Sequence, residues 1–148
     1  MNFYYQTQRV GHLINATPTA YASIAGEPSY PDISGYANFY SIGDGTIMEV
    51  EVTGLPFTND ICSIPFFGMH IHDKSGHYNP DNCPHPAHRG DLPPILGNQG
   101  LGWMSFYTNR FTPKELRGKT IVIHQNRDDF TSQPSGDSGP MIATGIIY

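Results

Sequence analysis

Glycine and proline interrupt this chain so often that no stretch is left long enough for a long helix. Sixteen Gly and thirteen Pro are spread over 148 residues, and between them lie only short runs in which apolar and polar residues alternate. Short alternating runs bounded by Gly, Pro, Asn and Asp predict strands joined by turns. The runs are Tyr21–Gly26, Ala37–Ile42, Thr46–Val52, Phe66–His72, Gly102–Thr108, Lys119–His124 and Met141–Ile147. Gly43-Asp44-Gly45, between the second and third, has hairpin-turn chemistry. Thr112-Pro113 predicts one helical turn, with Thr112 as cap and Pro113 at the first position. The expectation is an all-β fold of about eight strands, a sandwich or flattened barrel formed by the whole chain as a single domain. Residues 1–19 are expected to be a loosely ordered N-terminal extension.

The long segment Asp73–Asn98 has almost no periodicity and is rich in Pro, Gly, Asn and His. Long segments without periodicity in a small domain are usually functional. Composition excludes several functions. Eight basic against thirteen acidic residues give a net charge of −5, and without a basic stripe nucleic acid is not an expected partner. No run of about 18 apolar residues is present to span a membrane as a helix. The N-terminus lacks a basic start followed by an apolar run, so a native Met1 implies the cytoplasm. A removed signal would instead imply secretion or the periplasm. Cys62 and Cys83 are too few for a disulfide framework. They are read either as one staple across a loop of about 20 residues, contributing roughly 3 kcal/mol, or as two free thiols.

Histidine supplies the chemistry. Residues two apart in a strand share a face, so His70 and His72 present two imidazoles side by side. Neutral imidazole suits copper and zinc. A lone His-X-His is equally at home on a solvated edge strand, but His77, His85, His88 and Asp91 follow directly. Three imidazoles and a carboxylate match a closed tetrahedral zinc site. His124 ends the apolar run Thr-Ile-Val-Ile and adds a further copper donor. A carboxylate from Asp128-Asp129 could fix the tautomers of ligating histidines.

His70-Ile-His72, His77-Tyr-Asn-Pro, His85, His88-Arg-Gly-Asp91, Ile-Val-Ile-His124 with Asp128-Asp129, and the closing Gly-Asp-Ser-Gly…Ala-Thr-Gly together resemble the copper/zinc superoxide dismutases. The resemblance covers residues 20–148. It implies a Greek-key β-barrel and the disproportionation of superoxide. Copper would be held by His70, His72, His77 and His124, and zinc by His77, His85, His88 and Asp91. His77 would bridge the metals and act in catalysis, and Asp128 would link His70 to His85. Superoxide is the implied substrate, and a homodimer is compatible with the resemblance.

Three departures qualify it. Only Asp73-Lys-Ser-Gly separates His72 from His77, where the family usually has a longer loop with a cysteine. Ala143-Thr144-Gly145 replaces the triplet carrying that cysteine's partner. Aligning Gly139 and Gly145 puts Met141 where the family has an anion-guiding arginine. Met141 is read as a strand residue facing the core rather than a copper ligand, and Lys74, Arg89 and Arg127 as the cations near the site. Activity below the family's usual level is therefore expected, with a non-catalytic copper/zinc-binding protein as the alternative.

Overall fold

A computed structural model describes residues 16–74 and 76–148, so most of the 1–19 extension lies outside the described residues. Ten strands form one sheet: β1 (Ala20–Gly26), β2 (Ser34–Ile42), β3 (Gly45–Thr53), β4 (Phe66–Phe67), β5 (Met69–Asp73), β6 (Gly76–His77), β7 (Ile95–Asn98), β8 (Leu101–Thr108), β9 (Thr120–His124) and β10 (Met141–Ile146). The spatial order is β4-β7-β8-β3-β2-β1-β10-β9-β5-β6, and every pair is antiparallel. The neighbours β3–β8, β5–β9 and β1–β10 are far apart in sequence, which is the Greek-key pattern. One short 3-10 turn, Pro113–Leu116, supplies the expected helical turn, and the Glu115 carboxylate accepts the Thr112 amide at 3.1 Å.

Alternation builds the core. Ala20, Ala22 and Ile24 of β1 are buried while the residues between them face water. Phe39, Met48 and Val50 from one half of the sheet share a single cluster with Met69, Ile71, Ile121, Ile123 and Ile142 from the other. The sheet therefore curls, and its halves close on one another. Each large apolar side chain buried this way contributes about 1.5–3 kcal/mol.

Two parts of the chain depart from the pattern read in the sequence. The run Phe66–His72 is two strands, because the chain changes partners at Gly68: Phe66 and Phe67 pair with β7, and Met69–His72 pair with β9. A Cβ on Gly68 would stand 2.7 Å from Ser138 Oγ, so glycine permits the close approach of the loop holding Ser138. Second, Asp73–Asn98 is not without structure, since it contains β6 and β7. The split, together with β6 and β7, turns the seven runs named in the sequence into ten strands among the described residues.

Candidate metal centre

Strand β5 delivers the first two histidines. His70 is fully buried and His72 is partly exposed. The chain reverses and pairs His77 of β6 directly with His72. Two backbone bonds then fasten the loop to β5 and a third closes it on itself: Tyr78 N–H donates to Ile71 O at 2.7 Å, Ile71 N–H to Gly90 O at 2.8 Å, and Gly90 N–H to Tyr78 O at 2.8 Å. Any side chain at Gly90 would collide with this clasp, since its Cβ would lie 2.3 Å from Ile71 O. Asp91 bridges to His70 in the same step, and β9, the strand paired with β5, brings the His124 ring to 4.9 Å from that of His70.

Two groups of donors result. His70, His72, His77 and His124 each offer a ligand atom within 4.8 Å of the others, and so do His77, His85, His88 and Asp91. His77 belongs to both. All seven sequence-predicted positions are thus brought together.

The hydrogen bonds set the tautomers. Asp128 is buried and presents Oδ2 to His70 Nε2 at 2.7 Å and Oδ1 to His85 Nε2 at 2.9 Å. A carboxylate only accepts, so both Nε2 atoms carry the proton and both Nδ1 atoms keep their lone pairs. His124 Nδ1–H donates to Gly139 O at 2.9 Å, which leaves Nε2 bare. Among the described residues, the buried side-chain nitrogens and oxygens without a hydrogen-bond partner are His70 Nδ1, His72 Nε2, His77 Nε2, His85 Nδ1 and His124 Nε2. A buried polar atom left bare costs about 1–3 kcal/mol. Five such atoms in one place, all imidazole nitrogens, are unfavourable unless something positive sits among them.

The second group has the dimensions of a tetrahedral site. His77 Nδ1 stands 2.6 Å from Asp91 Oδ1, His88 Nδ1 is 3.3 Å from both, and His85 Nδ1 is 3.1 Å from Asp91 Oδ2. That last contact is close but not aligned as a hydrogen bond, which leaves His85 Nδ1 free to point elsewhere. Four donors at zinc's bonding distance of 2.0–2.1 Å would stand about 3.3 Å apart. The second group therefore fits a zinc ion, and the first offers four imidazoles, donors that suit copper.

Electrostatics agree. Burial and the neighbouring His77 push His70 down to about 3, and the same two causes push His72 to about 4. Burial also lowers His124. These imidazoles are neutral at ordinary pH, as metal ligands must be. Burial alone would raise Asp91, but the His77 hydrogen bond and the nearby His85 and His88 hold it at about 2. Asp128 is likewise held below its usual value against burial, chiefly by the His70 bond.

Other residues position the loop without any motif to announce them. Arg110 donates from its guanidinium to the carbonyls of Pro86, His88 and Asp91. Gln133 grips His85 at both ends, accepting from its amide at 2.9 Å and donating to its carbonyl at 2.6 Å. Gly136 lies so close to Asp128 that a Cβ would meet Oδ1 at 1.9 Å.

The cations and cysteines read in the sequence fare differently. Arg89 is committed to Asp81, with bonds of 2.6 and 3.0 Å, and to Glu115 at 3.2 Å. Arg127 is exposed, and Lys74 lines a hollow together with His72 and Met141. Met141 does not face the core: it is 47% exposed. A register shift between Met141 and Ala143 lets Ile142 and Ala143 both be buried in succession and turns Met141 outward, as bulges do. Cys62 and Cys83 are both free thiols, so the staple reading does not hold.

Comparison with known proteins agrees with this geometry. Residues 33–147 match the family model of copper/zinc superoxide dismutase. A copper/zinc superoxide dismutase of Deinococcus radiodurans is 30% identical over 147 residues, covering 78% of this chain and 77% of that protein. An extracellular copper/zinc superoxide dismutase of Schistosoma mansoni is 32% identical over 157 residues, covering 86% of this chain and 78% of that protein. A crystal structure of a superoxide dismutase-like protein from Bacillus subtilis superposes with a TM-score of 0.70 at 21% identity over 85% of this chain and 96% of that one, a likeness of fold. With its matched residues, its all-β fold and its paired histidine clusters, the chain belongs to the copper/zinc superoxide dismutase family.

Proposed function

We propose that this protein disproportionates superoxide to oxygen and hydrogen peroxide at a copper ion held by His70, His72, His77 and His124. In this reading His77, His85, His88 and Asp91 hold zinc. The observation that carries the reading is the set of bare, buried imidazole nitrogens, four of them on the four residues of the copper group. Copper supplies a one-electron couple, and zinc a fixed charge without redox chemistry.

The chain's own residues do the rest. Asp128 orients His70 and His85 through one carboxylate, so the two metal groups share a rigid support. Gly139 O holds His124 with Nε2 inward. His77 is the proton-handling residue, because its two ring nitrogens belong to different groups and its Nε2 has no other partner. A proton taken up at His77 Nε2 lies beside the copper group, where a forming peroxide needs it.

One observation favours the second reading, a copper/zinc-binding protein without turnover. Arg89 is tied up in ion pairs and Met141 stands where the family's anion-guiding arginine would be, so among the described residues no arginine lines the hollow beside the copper group. Turnover below the family's usual level is expected for that reason. Superoxide disproportionation by protein loaded with both metals tests the proposal. Activity that vanishes when copper is withheld supports it, and fully copper-loaded protein without activity overturns it in favour of the binding role.

A further inference from the structure

The copper group is not equally open on all sides. His70 and His124 are buried, and the exposed approach runs past His72. There a hollow of about 770 Å³ opens to solvent, lined by His72, Lys74, Glu27, Thr144 and Met141 among others. Lys74 and Glu27 carry opposite charges, and the Glu27 carboxylate accepts the Thr144 hydroxyl at 3.3 Å. The wall therefore has no net charge to draw in either a cation or an anion. What remains distinctive is Met141, a thioether turned out of the sheet by the bulge and 47% exposed. In the ladder it sits opposite His124, and its hollow is also lined by His72, whose buried Nε2 has no partner.

A thioether is a soft ligand that selects Cu(I), whereas zinc is bound by thiolate, imidazole and carboxylate. We propose that Met141 is a capture ligand for Cu(I), which binds the ion at the mouth of this hollow and passes it to His72 and the buried imidazoles behind. This role rests on the copper reading given above, and it adds a selection step: Cu(I) gains a ligand at the mouth and zinc does not. No redox step is involved, only exchange of one neutral donor for another.

The test uses the copper-free chain with zinc already bound, kept anaerobic and reduced. Cu(I) is delivered from its coloured bicinchoninate complex, and the loss of colour follows transfer. Met141→Leu keeps the size and apolarity of the side chain and removes the sulfur. The expected result is transfer slowed about tenfold, a loss typical of removing one partner from a metal site, with unchanged final copper content and unchanged zinc uptake by the metal-free protein. Ag(I), a redox-inert stand-in for Cu(I), should shift the Met141 methyl resonance before the histidine resonances. Equal transfer rates in wild type and Met141→Leu would overturn the capture role while leaving the copper site intact. Equal slowing of zinc uptake would overturn it by exposing a structural effect. A wild type that takes up no Cu(I) would instead bring down the copper reading itself.

Discussion

Replacing Asp128 by asparagine should weaken both metal sites at once, because one carboxylate fixes two tautomers. In the native protein each oxygen takes an imidazole N–H, at 2.7 Å from His70 and 2.9 Å from His85, and Oδ1 also accepts the Phe130 amide at 2.7 Å. Asparagine keeps one oxygen and presents an NH2 in place of the other. One histidine then keeps an acceptor that is neutral instead of charged. Hydrogen bonds to charged groups contribute about 1.5–3 kcal/mol and neutral ones about 0.5–1.5, so this ligand loses about 1 kcal/mol. The other histidine meets N–H with N–H. It must move its proton to Nδ1, which removes the lone pair a metal needs, at a cost of about 2–3 kcal/mol. The two affinities should fall by about fivefold and by about 30- to 150-fold respectively. Competition against chelators of known affinity, run separately for Cu(II) and Zn(II), measures both. If only one affinity changes, or neither does, Asp128 does not couple the sites and the tautomer argument is wrong.

Two further outcomes follow from the same geometry. Gly136→Ala should lower the thermal midpoint and both metal affinities, since its Cβ would press on Asp128 Oδ1 at a backbone φ of +68°; the expected cost is at least about 2 kcal/mol, and a melting curve superimposable on wild type would refute it. The metal-free protein should lose stability as pH falls from about 6.5 towards 4. His72, lowered from 6.5 to about 4, binds its proton less readily when folded than when unfolded, so its contribution is complete above 6.5 and is lost on acidification. That contribution is at most about 3 kcal/mol, less for the partial exposure of the ring, and His70 and His124 act in the same direction. Urea unfolding at pH 7 and pH 5 measures it, and equal midpoints would contradict it.

Sequence patterns that depend on near neighbours were legible, and those that depend on partners far along the chain were not. Period two placed His70 and His72 on one face, and the hairpin chemistry of Gly43-Asp44-Gly45 marked the turn between β2 and β3. Strands β6 and β7 were invisible because two to four residues carry no periodicity; they exist only through pairing with His72-Asp73 and with β4 and β8. The break at Gly68 was hidden for the same reason, since the apolar run continues while the partner strand changes. Arg110 and Gln133 act by bonding backbone atoms of the metal loop, and no spacing rule points to such contacts. Met141 read as a core residue because strict alternation cannot foresee a bulge.

Elemental analysis of the purified chain, loaded with copper and zinc and then freed of excess metal, tests the central claim most directly. The account predicts one copper and one zinc per chain in the wild type. It predicts loss of both from His77→Ala, because His77 stands in both donor groups, and loss of copper with retention of zinc from His124→Ala. Fewer than two tightly held metals in the wild type, or zinc lost together with copper from His124→Ala, would contradict the paired site.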